Sequence, residues 1–519
     1  MNRRIYLLLF FLALIVQGAI ASLQKIPGYL DADYYFAGGL RLVRGYGFTE
    51  NYLWNYLDDP QGLPHPSHGY WMPLASILAA AGMWVTGQQT YAAARLGFIL
   101  LAAAVPPLTA NLAHTFAGRR ELAIASGLLA IFSVFHLTFM PVTDNYAIYM
   151  ILGGLYFLVM QRPRPWFWLG LLAGLMTLAR TDGLIWLALT LMLAGWQLLS
   201  DRDDPSTRAR TAFRFASLVM LGYLSIMGPW YARNLSAYGS LMSPGGSRTL
   251  WLTTYDETFV YPVSKLTMQS WLASGWPAIF KVRLWAFSNN VQTMIAAHAH
   301  LILFPFIVAG MWQYRTDRRV QVGLLAWFGL FIVMTFVFPF AGVRGSFFHA
   351  GAALQPLFWS LAPVGLESAV SALGRRRGWA IRQAQTVFRF AMVQMVVLLS
   401  AYLVWVRVFE KGWGEGENLY PSVEQFLVGQ GIQPDEPVMV LNSPAYYLVT
   451  GRPAVVQPYG DPDTTVLVAK RFGVRYFVFE SAGQLKPLKD LYQHPLDFDR
   501  FHYLGEVDGA RIFEIDIDD

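Results

Sequence analysis

The sequence predicts a mainly α protein: a polytopic membrane helix bundle of about eleven spans, followed by a small extracytoplasmic α/β domain at the C-terminus. Three observations carry this. Of 519 residues, 55% are hydrophobic and only 14% are charged, whereas a soluble globular protein carries about 25% charged residues. Apolar runs of membrane-spanning length recur through the first 410 residues. Basic residues return at every second connection between those runs.

The runs lie at 5–21, 91–115, 121–139, 145–160, 166–180, 183–199, 213–230, 296–313, 320–338, 350–372 and 388–409. Crossing about 30 Å of hydrocarbon takes about 20 apolar residues in a helix, so several of these are near the lower limit. The first run follows Met-Asn-Arg-Arg and reads as a retained signal-anchor helix, because many spans come after it. Arg3 and Arg4, Arg119 and Arg120, Arg162 and Arg164, the group Arg202 to Arg214, Arg315 to Arg319 and Arg375 to Arg382 mark alternate loops. Under the positive-inside rule these loops are cytoplasmic. The N-terminus is then inside and the C-terminal tail outside, with bacterial inner membrane as the expected location. Two long outer loops result, 22–90 and 231–295. The apolar stretch 70–88 would invert every later loop if it crossed, so it is expected to lie along the outer face.

Charge divides along the same boundary. Residues 1–410 carry 30 Lys+Arg against 16 Asp+Glu, and residues 411–519 carry 9 against 17. The basic surplus is therefore an orientation signal, and nucleic acid is not expected as a partner. Zero cysteines exclude a disulfide scaffold, thiolate metal sites and thiol nucleophiles. The tail 411–519 opens with the Gly-rich, polar Lys411-Gly-Trp-Gly-Glu-Gly-Glu-Asn418 linker. Strand-like runs follow at 437–441, 474–480 and 510–515, with a helical stretch near 464–472. It contains no P-loop and no dinucleotide fingerprint.

Acidic residues beside membrane segments are costly and therefore candidates for chemistry. Asp31 and Asp33 follow the first span. On an extended stretch both would face the same way and divide acid/base work or share a metal; on a helix one of them would serve as its N-cap. Asp144, in Thr143-Asp-Asn145, either acts in the site or caps the next span. Asp182 sits in a tight outer turn with Arg180, where a local salt bridge is the alternative. Cations on that face are few: Arg233, Arg344 and His349. An interfacial Arg either binds a phosphate through its guanidinium fork or snorkels to lipid headgroups. His65 and His68 lie in the first outer loop, and His65 is a possible supplement to a metal site there. Carboxylates plus a phosphate-binding cation at one membrane surface suit a reaction in which a lipid-carrier phosphate leaves while an Asp deprotonates an incoming hydroxyl. A transporter or flippase of lipid-linked saccharide is the alternative; it would be expected to carry charges at mid-span positions, which are almost uncharged here.

These residues resemble the GT-C glycosyltransferases, in particular the protein O-mannosyltransferases and lipid A aminoarabinose transferases. The likeness rests on Asp31-Ala-Asp33 with Tyr35, on Leu40 to Gly47, on Trp71-Met-Pro73-Leu74, and on the order Arg119-Arg120, Asp144, Ala179 to Gly183. It covers about residues 1–410. The sequence departs from the family pattern at the common Asp-Glu pair, which is Asp-Ala here, and at Met72, where the family has proline. The resemblance implies a polyprenyl-phosphate-linked sugar donor, an extracytoplasmic protein, lipid or glycan acceptor, and inversion at the anomeric carbon. It implies Asp31 as base, Asp33 or Asp144 assisting, and Arg233, Arg344 and His349 holding the carrier phosphate. Tyr35, Asp182 and His65 are supporting candidates. Some relatives need a divalent cation and some do not.

Overall fold

The computed structural model describes residues 2–200 and 205–517, so Arg202 of the basic-loop pattern lies outside the described residues. The protein is mainly helical. Six described helices are long and apolar enough to cross a membrane: Arg3–Leu23, Tyr91–Ala117, Ser206–Tyr238, Arg318–Val337, Pro339–Arg377 and Ile381–Gly429. Their length and composition make this an integral membrane protein.

Several other expected spans are shorter than their apolar runs. The helix Arg120–Ile131 has 12 residues, Tyr146–Val159 has 14, Trp166–Ala179 has 14 and Phe304–Gln313 has 10. At about 1.5 Å per residue, such helices rise roughly 15–21 Å, less than the hydrocarbon thickness. The chain does not stop being apolar there; it leaves the helix. Between Ile131 and Tyr146 it forms a single 3₁₀ turn and irregular backbone, with Val134 at φ 46°. Between 298 and 304 it turns through His300 and Leu301, both at positive φ. The first of these irregular segments carries Asp144 into the site. The 70–88 stretch forms a 13-residue helix, Leu74–Thr86, too short to cross a bilayer.

Helix pairs approach closely through glycine. A Cβ at Gly170 would overlap the Val219 carbonyl, and one at Gly222 would overlap that of Phe167. Gly310 and Gly365 stand in the same relation to Leu361 and Phe306. Without a hydrophobic force between lipid-facing helices, such close backbone contact supplies dispersion energy. Glu367, 5% exposed, pairs with both Arg119 and Arg389, which compensates a carboxylate that would be expensive alone.

The described residues form eight short strands: β1 (Thr49–Glu50), β2 (Tyr52–Leu53), β3 (His65–Pro66), β4 (Val438–Val440), β5 (Ala454–Val456), β6 (Tyr476–Phe479), β7 (Phe501–Val507) and β8 (Ala510–Ile515). β1 and β3 pair antiparallel. The other six make one sheet in the order β2-β5-β4-β6-β8-β7. β2, β5, β4 and β6 run parallel, and β8 and β7 add antiparallel. Its core holds Val455, Phe477, Phe479, Phe513 and Ile515, together with Leu53 and Tyr56 from the first long loop. The sheet thus takes an edge strand from residues 52–53, which the linear reading assigns to a different region. The Gly-rich linker is also docked: Trp413 donates its indole N–H to the Ile26 carbonyl at 3.0 Å and packs edge-on against Tyr29.

Candidate active site

Asp31 is the second residue of the helix Leu30–Val43, whose N-cap is Tyr29. Neither Asp31 nor Asp33 occupies the cap position. Side chains two apart on a helix point roughly 200° apart, and the two carboxylates accordingly separate. Asp33 is fully buried and accepts a hydrogen bond from Asn442 Nδ2 at 3.0 Å. Asp31 turns the other way, with its side chain 28% exposed.

Asp144 comes from the irregular 132–145 segment, which Thr143 ties to the helix by donating to the Ala32 carbonyl at 2.8 Å. Asp144 does not cap the following helix; Asn145 holds that position. Instead its Oδ2 accepts from the Tyr29 hydroxyl at 2.6 Å and lies 2.9 Å from His349 Nε2. The same His349 nitrogen is 3.9 Å from Asp31 Oδ2. His349 is stacked on Tyr146, and its Nδ1 lies 2.9 Å from the Gly345 carbonyl. A chain kink delivers it: Gly345 has φ +118°, a conformation open to glycine and strained for other residues. Ligand atoms of Asp31, Asp144 and His349 all lie within 4.8 Å of one another. Three hard or borderline donors of this type, two carboxylates and an imidazole, fit a divalent cation.

Burial raises the Asp31 carboxyl to about 6, and the Asp144 charge adds to this, while His349 and Arg180 oppose it. The group is therefore mostly ionised at neutral pH, yet far more basic than an exposed aspartate.

Arg344, at the same kink, is exposed. Its guanidinium lies 4.4 Å from the Tyr255 ring and makes no ion pair with a carboxylate among the described residues. Together with Asp31, Arg180 and His349 it lines a small cavity of about 70 Å³. That cavity shares Tyr70, Trp71, Arg180, Ala341 and Ser346 with a larger one of about 670 Å³, whose other walls include Met72, Ile185, Met334 and Phe338. The larger cavity is mostly apolar but also carries Arg180, Asp182 and Arg248.

The remaining sequence candidates divide. Asp182 lines the larger cavity, where it pairs with Arg180 at 2.8 Å and accepts from the Tyr149 hydroxyl at 2.7 Å. Tyr35 lines it too, and its hydroxyl accepts from Asn145 Nδ2 at 2.8 Å. Arg233 is elsewhere: its guanidinium donates to the Phe48 and Ser67 carbonyls at 3.0 and 2.7 Å and stacks over Trp230 and Tyr238. His65 pairs with Asp58 at 2.7 Å, and His68 bonds to Ser67 and Ser76; neither joins the cluster. Arg180 is the residue that sequence reasoning passed over. Read as one half of a local turn pair with Asp182, it also donates to the Ser346 carbonyl at 3.2 Å and faces both cavities. Tyr29, the closest hydrogen-bond partner of Asp144, carried no sequence signal beyond its place next to Asp31.

No family model and no curated protein matches the sequence. Solved structures do share its fold. The apo oligosaccharyltransferase of Archaeoglobus fulgidus aligns with TM-score 0.54 at 12% identity, over 92% of this chain and 70% of that one. The same archaeal enzyme in complex with Zn and sulfate gives 0.55 at 13% identity, over 91% and 67%. ArnT from Cupriavidus metallidurans bound to undecaprenyl phosphate gives 0.52 at 14% identity, over 98% and 97%. The chain shares the overall fold of these proteins.

Proposed function

We propose that the protein is a membrane glycosyltransferase, moving a sugar from a polyprenyl-phosphate-linked donor to an acceptor hydroxyl on the extracytoplasmic face. The observation that carries this reading is the Asp31–Asp144–His349 cluster set beside Arg344, which makes no ion pair among the described residues, in a small cavity that shares walls with a larger, mostly apolar one. The fold agrees with it, since the neighbours include an oligosaccharyltransferase and a protein solved with undecaprenyl phosphate.

The polyprenyl chain lies in the cavity walled by Met72, Ile185, Met334 and Phe338. Its phosphate is held by Arg344, with Arg180, itself paired with Asp182, in the same lining. Asp31 accepts the proton of the acceptor hydroxyl, whose oxygen forms the new bond to the anomeric carbon. The bond from that carbon to the phosphate oxygen breaks, and its electron pair leaves with polyprenyl phosphate. Attack opposite the leaving phosphate inverts the configuration. His349 and Tyr29 orient Asp144, whose charge keeps Asp31 basic. A divalent cation would be held by Asp31, Asp144 and His349, and when bound it would stabilise negative charge on the departing phosphate. The Zn complex of the archaeal neighbour supports that possibility.

The test is turnover of an undecaprenyl-phosphate-linked sugar by the full chain in proteoliposomes, with and without EDTA. Release of undecaprenyl phosphate coupled to acceptor glycosylation is the expected result. Movement of the carrier between leaflets without any transfer would replace this reading with that of a flippase.

A further inference from the structure

A second cavity, of about 950 Å³, lies on the other side of the cluster. Tyr29 joins the two: it lines this cavity while its hydroxyl donates to Asp144. The remaining walls are the linker 411–420 and the loops that follow β4 and β6, at Leu441–Asn442 and Glu480–Ser481. The place has a topological reason. From β4 the chain goes to β5 on one side and then to β6 on the other, with all three parallel. Such a switch point opens a crevice at the carboxyl ends of the two diverging strands, which is where open α/β sheets bind ligands. Here the linker, clamped by Trp413, closes that crevice against residues 28–29.

The chemistry of the lining is one-sided. Glu417 and Glu480 are 9% and 7% exposed, and neither makes an ion pair among the described residues. Glu480 Oε1 accepts from the Tyr420 hydroxyl and the Leu441 N–H, each at 3.0 Å. Its Oε2 accepts from no donor among the described residues. Burial raises the Glu480 carboxyl to about 7, so at neutral pH about half of it is ionised. Glu415 and Asp508 add further acidic groups, against a single cation, Lys411. Buried acceptors short of donors stabilise a ligand rich in O–H or N–H groups. The same field opposes a phosphate or carboxylate.

We infer that this switch-point pocket binds the acceptor, and that the acceptor is a polyhydroxylated saccharide that is neutral or carries an amine, not a phosphorylated one. The inference rests on the transferase reading for the word acceptor. The pocket would present a sugar hydroxyl toward Asp31 from the side of Tyr29, while the donor phosphate sits on the side of Arg344.

The experiment uses the full chain in nanodiscs and three probes on one ring: a methyl hexoside, a hexosamine and a hexose phosphate. Binding is read by saturation-transfer NMR and needs no turnover. The hexoside and hexosamine are expected to bind and the hexose phosphate is not. Gly416 lines the pocket and a Cβ there meets open space, so Gly416→Trp fills the site without a core clash and is expected to abolish binding. Glu480→Gln, which keeps the acceptor for Tyr420 and Leu441, is expected to weaken hexosamine binding at least tenfold. In the transfer assay Gly416→Trp is expected to raise acceptor KM at least tenfold while hydrolysis of the donor by water continues. Equal binding of the hexose phosphate, or unchanged binding and KM in Gly416→Trp, overturns the inference. Absent donor turnover in the parent chain, with glycoside binding intact and lost in Gly416→Trp, sinks the transferase reading and leaves the saccharide pocket standing.

Discussion

Two cavities flank one cluster of Asp31, Asp144 and His349, and they differ in sign. On one side, beyond the cluster itself, the charged groups are the guanidiniums of Arg248 and Arg344 with the Arg180–Asp182 ion pair, in a largely apolar lining. On the other they are carboxylates, from Glu415, Glu417, Glu480 and Asp508. Part of each set is mostly buried, Arg180 on one side and Glu417 and Glu480 on the other, and there water screens charge least. The difference separates the two reactants of the proposed transfer by charge: an anionic leaving group belongs beside arginine, and a hydroxyl-bearing nucleophile beside hydrogen-bond acceptors. It also keeps a second phosphate from entering the wrong side.

Four measurements break or sharpen that contrast. The largest effect is expected from Asp31→Asn, which removes the proposed base; transfer should fall by about 10²–10⁴-fold in kcat, the range for a lost general base. Carrier binding should persist, as read by protection of the protein with undecaprenyl phosphate, and unchanged transfer would reject Asp31 as the base. Arg344→Met acts on the cationic side alone. A lost charge-assisted contact of about 1.5–3 kcal/mol corresponds to roughly a 10- to 150-fold rise in donor KM, with acceptor KM unmoved; a rise in acceptor KM instead would mean the two sides are not separate.

The pH profile is the third. Asp31 titrates at about 6, and only its ionised form accepts a proton. Activity should therefore fall about tenfold per unit as pH drops below that value and level off above it. A profile flat to pH 4.5 would exclude Asp31 from the proton transfer. The same raised pKa works on stability in the opposite direction. A carboxyl raised from 3.8 to about 6 favours the folded state while protonated, so that contribution is present below pH 4 and is lost as pH rises through 6. The smallest effect is expected at Arg233, whose donors go to main-chain carbonyls of the first long loop. Arg233→Met should appear as a lower unfolding temperature, with a cost of about 0.5–1.5 kcal/mol for each hydrogen bond lost, since the Phe48 and Ser67 carbonyls keep donors in the Ser67 N–H and the Tyr238 hydroxyl; a selective rise in donor KM would return it to the carrier site.

The acidic candidates could be found in the sequence because an Asp beside an apolar run has to be explained. Asp31, Asp144, Asp182, Arg344 and His349 were all visible on that ground, and all of them line or join the cluster and its donor-side cavities. Arg233 satisfied the same criterion and lies elsewhere, because an interfacial arginine satisfied by loop carbonyls looks identical in one dimension. Arg180 failed the criterion for the converse reason: its neighbour Asp182 accounted for it completely. The pairing of Asp31 with Asp33 depended on whether the backbone was extended or helical. A helix starting at Leu30 sends the second carboxylate to Asn442, away from Asp144 and His349.

The membrane class followed from composition alone, because 14% charge cannot clothe 519 residues in water. The candidate acids and cations followed from the cost of charge near hydrocarbon. Which of them meet was decided only by the tertiary structure. The cluster draws on a helix at residue 31, an irregular segment at 144 and a kink at 349, and the strand at 52–53 joins a sheet formed near the other end of the chain. Contacts across hundreds of residues depend on where short helices end and how the chain turns between them. Hydropathy sees an apolar run as continuous through such a turn, so it records the residues and misses the break that brings them together.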